Sequence, residues 1–400
     1  MCYFNKFSLL LLLYSPLLSK SDPCTVTQFS QVAQAVNDCT NLIISNLVVP
    51  GGQTLELHLK YGATVTFEGT TVFEVAHWEG PLIEFTGEKV LVQGASGETA
   101  AFSIFIEDPL ISPRIWISFS SNLHKYVIIG GDFNICQLEN LSSILNAQGE
   151  KYWDGHGGSG GVTKPRFVQI STTGGSVFKN IHLKNCALFC VGIRASDLTI
   201  SGWNIDSHEG RKKGKNTDGF GIAAGNNIHI ENSSVDNQDD CIVVNGGTNM
   251  VFNGIKCTGS HGLSFSAGSN TNDHAKYATI NNITFSNCEL KDGAIGIHVK
   301  TKRGTGLITN VTYDHITMTG MQKDGIYINQ DYGDVGNTTR DFQITNLKVS
   351  NVEGSIHGKG ARAVHIVCND KKCANWQWSN IDISGGAKDY CNFHPTGFDC

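Results

Sequence analysis

Charge is scarce in this chain: Asp, Glu, Lys and Arg make up 16% of 400 residues, and proline occurs only 8 times. With 45 glycines and a middle dominated by Val, Ile, Thr, Asn and Ser, that shortage describes a β-rich chain rather than a helical one. Beyond the first 21 residues no apolar run approaches the roughly 20 residues that a bilayer requires, so the mature protein is expected to be soluble, with no membrane partner. No cysteine stands in the histidine-flanked spacing of a zinc site, so neither a metal nor a cofactor is expected. Length alone allows one large domain or two.

What is present begins with a leader. Residues 1–21 carry Lys6, an apolar run from Phe7 to Leu18, and small residues Ser19 and Ser21. They read as a secretory signal peptide preceding a single domain, 22–400. Of 13 cysteines only Cys2 lies in the leader, and the remaining 12 suit an oxidising, extracellular compartment. Close spacing suggests Cys24–Cys39, Cys241–Cys257, Cys368–Cys373 and Cys391–Cys400 as pairs, and leaves Cys136, Cys186, Cys190 and Cys288 undecided. Sequons at Asn140, Asn232, Asn282, Asn310 and Asn337 are compatible with glycosylation.

Between Thr27 and Cys39, Phe29, Val32, Ala33 and Val36 fall at helical spacing, which predicts one amphipathic helix capping the open end of the strands after it. From Ser176 onward a unit recurs: apolar-x-apolar-x-[Asn/Gly/His]-apolar-x-apolar. Its anchors are Asn180, Gly202, Asn232, Gly254, Asn287, His315, Asn346 and Asn380, at intervals of 22, 30, 22, 33, 28, 31 and 34 residues. So short a unit, without helices, buries its apolar face only by stacking on its neighbour. The expected fold is therefore all-β, a right-handed parallel β-helix. A β-sandwich would need hairpin turns and gives no reason for a repeated Asn. In a solenoid, an Asn at a corner bonds its equivalents on adjacent coils.

That repeat places the polar residues. Asp218 and Asp239 are 21 residues apart, as are Asp240 and His261. Treating His208 to Lys215 as a loop puts Asp218 and Asp240 at offset 8 from their anchors and His261 at offset 7. They should form one column, about 4.8 Å apart per coil. Clustered carboxylates repel, so such a column is costly without a task. One carboxyl raised by its neighbours donates a proton while another, ionised, activates water, as in glycoside hydrolysis. Lys300 and Tyr332 come at about one coil each further on and suit an anionic sugar. The basic run Arg211 to Lys215, in a chain of net charge −6, favours a polyanionic ligand, and secretion argues against nucleic acid.

The ordered set Asn216-Thr217-Asp218, Gln238-Asp239-Asp240, Ser260-His261-Gly262, Lys300 and Tyr332 resembles the polygalacturonases of glycoside hydrolase family 28. The resemblance implies inverting, metal-free hydrolysis of α-1,4-linked galacturonic acid in pectin. It implies Asp239 as general acid, Asp218 and Asp240 holding and activating water, and His261 tuning the acid. Asn216, His298, Lys300 and Tyr332 would bind substrate. The protein departs from the family at His298, where an arginine would clamp a substrate carboxylate. Binding of polygalacturonate should therefore be weakened, least at acidic pH, where histidine is cationic. Gly221 replaces a usual Asp, and Phe265-Ser266-Ala267 a usual Ile-Gly-Ser.

Residues 98–143 lack the repeat and read as an atypical insert or an error in the assembled gene, since the flanks should nearly adjoin. The expected protein is a secreted, monomeric endo-polygalacturonase, with no loop long enough to block one end of the groove. Its rivals are an inactive pectin-binding relative, favoured by His298, and a calcium-dependent lyase.

Overall fold

A computed structural model describes residues 24–95, 104–105, 116–117, 143–268, 279–302, 304–330, 332, 341–369 and 371–400. The leader, most of 98–143, Cys136, Asn140 and Asn337 lie outside the described residues. Apart from one two-residue antiparallel pairing, Ile104–Phe105 with Trp116–Ile117, the strands stack in parallel, each on its equivalent one coil away. This is a right-handed parallel β-helix.

Alternation along the short strands builds the interior. In Asn41–Ser45, Leu42 and Ile44 are buried and their neighbours are not. Parallel register then stacks like on like. Leu42 pairs with Val65, Val65 with Val92, Val92 with Phe178, and the same row continues through Phe252, Phe285 and Tyr313. Phe285 lies between Phe252 at 4.6 Å and Tyr313 at 4.9 Å, ring stacked on ring. Each such burial contributes about 1.5–3 kcal/mol.

The recurring anchors are corners. Asn180, Asn232, Asn287, His315 and Asn380 have φ between 49° and 55°, and Gly202 and Gly254 have φ of 65° and 66°. This left-handed conformation suits Gly and Asn, and explains why the repeat admits so few residue types. Register puts these seven in one column and corrects the eighth: Asn351, not Asn346, pairs with Asn380. Asn346 belongs to a second left-handed column with Asn310 and Asn282. Both columns share one sequence pattern, so the pattern could not separate them. Side-chain amides tie successive corners, as in Asn380 Nδ2 to Asn351 Oδ1 at 2.9 Å, or a corner to the residue before the next one, as in Asn287 Nδ2 to Asn253 Oδ1 at 2.7 Å.

At the N-terminal end a 3₁₀ turn, Phe29–Gln31, leads into a helix, Val32–Asp38, whose Val32 and Val36 cover the first coil. Ala33, expected on the apolar face, is exposed, and Ala35 packs instead, because the 3₁₀ turn shifts the helical phase. Residues 95–143 leave one coil between its second strand, Leu91–Gly94, and its third, Ile144–Asn146. Both strands are in register with the coils on either side. All four suggested disulfides are formed, and Cys186 pairs with Cys190. Cys288 is free and buried.

Candidate active site

Three successive strands set the site. Phe220 pairs with Ile242 and Ile242 with Leu263, so the residues two before each, Asp218, Asp240 and His261, stand level on adjacent coils. The one-residue offset expected for His261 disappears. Asp239 bulges from the turn before Asp240. Its Oδ1 accepts the Asp240 amide at 2.8 Å and faces His261 Nδ1 at 3.2 Å, while its Oδ2 accepts Asn216 Nδ2 at 3.2 Å. Asn237 Nδ2 braces the turn, donating to the carbonyls of Thr217 and Asp240.

Asp240 is sealed and paired. Lys300 Nζ lies 2.6 Å from its Oδ2, with side chains 6% and 4% exposed, and Ser264 Oγ donates to Oδ1 at 2.7 Å. Asp218 receives no hydrogen bond at its buried Oδ1. Tyr332 borders the site, its ring 5.4 Å from Lys300 Nζ and 5.9 Å from Lys302 Nζ. His298 is 5% exposed, stacked on Tyr327 at 5.4 Å and set edge-on to Tyr332 at 5.9 Å.

The carboxyls are driven apart in acidity. Burial, then the charges of Asp239 and Asp240, push Asp218 well above the usual carboxylate range. Burial works to raise Asp239 too, but the hydrogen bond and charge of His261, with Lys300, carry it below that range. Burial lifts Asp240 despite Lys300. Lys300 is nonetheless held above a free lysine, because Asp240 and Asp239 outweigh its own burial. Those two directions disagree about the charge on Asp240. At 2.6 Å between two nearly sealed groups, the ammonium requires a carboxylate, so the pair is ionic.

His298 behaves differently from the sequence-based expectation. Burial first, then Lys300, His261 and Lys323, push it well below the ordinary imidazole value. Mild acid therefore does not make it a substitute for a guanidinium, and the expected recovery of binding at acidic pH loses its basis.

The site residues read from sequence thus fall into one cluster around Asp239 and Asp240, with Lys300 turned onto Asp240 and Asn216 onto Asp239. Missed were Ser264, which the His-Gly-Leu-Ser stretch contained, and Lys164 with the loop around it, which no periodic signal marks. A separate hollow of about 400 Å³, lined by His315, Glu353 and Asp382, lies at a corner column. Its charged side chains are exposed, so it lacks the sealed charge of the carboxylate cluster.

Three clustered carboxyls on the outside of a parallel β-helix, with Asp218 raised and Asp239 lowered, are the equipment of an acid/base glycoside hydrolase. Residues 39–101 and 118–400 match the glycosyl hydrolases family 28, and the chain belongs to that family. It is 38% identical over 388 residues to a polygalacturonase of Phaedon cochleariae, covering 94% of this chain and 93% of that protein. It is 34% identical over 393 residues to endopolygalacturonase I of Aspergillus oryzae, covering 96% and 94%. Among solved structures, endopolygalacturonase I from Stereum purpureum complexed with two galacturonates superposes with a TM-score of 0.65. That pair is 25% identical, covering 92% of this chain and 96% of that one.

Proposed function

We propose that this protein is a secreted, monomeric endo-polygalacturonase that hydrolyses α-1,4-galacturonosyl linkages of pectin with inversion. The observation that carries the reading is the opposed pairing of adjacent carboxylates: Asp239 with His261, and Asp240 with Lys300. Asp239, made a strong acid by His261 and Lys300, gives its own proton to the departing glycosidic oxygen, while His261 Nδ1, 3.2 Å from its Oδ1, holds the carboxyl in place. Asp240, kept ionised by Lys300, accepts a proton from water, and protonated Asp218 holds that water in place. The water attacks the anomeric carbon, the carbon–oxygen bond breaks, and each fragment leaves with its hydroxyl.

One ligating atom from each of Asp239, Asp240 and His261 lies within 4.8 Å of the others. Inversion rests on the family resemblance, and the anomer first formed, read by NMR, tests it. The same trio could bind a cation, but the Lys300 ammonium already occupies Asp240 Oδ2. A calcium-dependent lyase is therefore disfavoured, and EDTA is expected to leave the rate unchanged. Reducing-end release from polygalacturonate should fall about 10²–10⁴-fold in Asp239→Asn. An active Asp239→Asn protein would refute the assignment. The N-terminal leader sequence and five disulfides among the described residues support export.

A further inference from the structure

We propose that the loop 153–164 is a positioning device for Asp239, with Lys164 and the Gly158 amide as its working parts. The proposal rests on the reading of Asp239 as proton donor.

Lys164 is buried, its side chain 2% exposed. A sealed ammonium is costly unless fully partnered. Its Nζ reaches Asp154 Oδ2 at 2.9 Å and the carbonyls of Val162 at 2.9 Å, Gly157 at 3.1 Å and Gly160 at 3.4 Å. Asp154 in turn accepts the amides of His156 and Val162, both at 2.9 Å. One ammonium thus gathers a glycine-rich loop into a single shape.

That shape has a target. Gly157 sits at φ 59°, where an added Cβ would come within 2.3 Å of Asn216 Oδ1, so the loop backbone is pressed directly against Asn216. The next amide, Gly158 N–H, donates to Asn216 Oδ1 at 3.0 Å. A side-chain amide whose oxygen is engaged has only its NH₂ to offer the other way. That NH₂ donates to Asp239 Oδ2 at 3.2 Å. Without the Gly158 bond only Asp239 itself would hold the amide, and the donor would lose its fixed place. The loop therefore decides how firmly Asp239 is held by its donor.

The direction of the effect is fixed by the donor. Donation by Asn216 favours ionised Asp239, so losing it makes the proton donor a weaker acid and moves the high-pH limb of kcat upward. Gly158→Pro puts a ring carbon toward Asn216 Oδ1 in place of the N–H. Gly158→Ala keeps it, and its Cβ would meet nothing nearer than 3.8 Å. On polygalacturonate, Gly158→Pro is expected to shift the high-pH limb up by about one unit. It should also lower kcat about tenfold, with KM within about twofold, while Gly158→Ala matches the native protein. Asn216→Ala should give the same shift, and combining it with Gly158→Pro should add nothing. Should Gly158→Pro fail to fold, Lys164→Met carries the same test beside its melting curve. An unmoved pH limb, or effects of the Gly158 and Asn216 variants that multiply, would overturn the proposal. An active Asp239→Asn would instead remove the reading beneath it.

Discussion

His298 illustrates how a substitution changes meaning once its surroundings are known. By sequence it is an arginine replaced by a weaker, pH-dependent cation. In the fold it is a neutral ring in an aromatic row, stacked on Tyr327, which itself stacks on His365 at 4.3 Å. KM for polygalacturonate is therefore expected to show no improvement as pH falls through the ordinary imidazole range, since burial, then Lys300, holds His298 well below that range. His298→Arg should raise kcat/KM about tenfold by restoring a permanent charge. Steady-state kinetics showing no gain would mean that the aromatic row, not the missing charge, sets affinity. At this scale the aspartates, His261 and Lys300 were legible because each falls on a coil position. Lys164 was not, because hydrogen bonds across a loop leave no period in the sequence, and Ser264 was not, because its strand position is shared with ordinary core residues.

Among the elements, the corner columns carry the sharpest constraint. Asn287 combines two roles, a φ of 53° and an amide bond to Asn253. Replacement by Ala forfeits the bond, worth about 0.5–1.5 kcal/mol, and puts a residue without asparagine's polar side chain into a left-handed conformation costing it roughly 1–2 kcal/mol. Replacement by Gly forfeits only the bond. Urea unfolding should therefore rank native above Asn287→Gly above Asn287→Ala, and equal midpoints for the two variants would refute the double role. The repeat pattern revealed these corners but not their register. Asn346 and Asn351 lie five residues apart in different columns, and only strand pairing tells which one meets Asn380.

For the molecule as a whole, stability depends on the stack having closed ends. Strand Cys24–Val26 lies against Asn41–Ser45, and Cys24–Cys39 encloses the capping helix between them. Removing that crosslink with Cys24→Ala/Cys39→Ala, across a separation of 15 residues, should cost about 3 kcal/mol. Aggregation should accompany the loss, as an unpaired strand edge is uncovered. Light scattering during mild denaturation checks this, and a variant that stays monomeric would show that the helix holds without the crosslink. The β-helix itself was legible from Ser176 onward, because there each coil repeats the same need to cover its neighbour.

The pair that completes the carboxylate cluster also sets a condition on biosynthesis. Lys300 comes 60 residues after Asp240, and a ribosome adding roughly 5–20 residues per second takes about 3–12 s to reach it. Asp240 is therefore made before its counter-ion exists. Until the coil bearing Lys300 has docked, Asp240 lacks the buried ammonium that pairs with it in the finished fold.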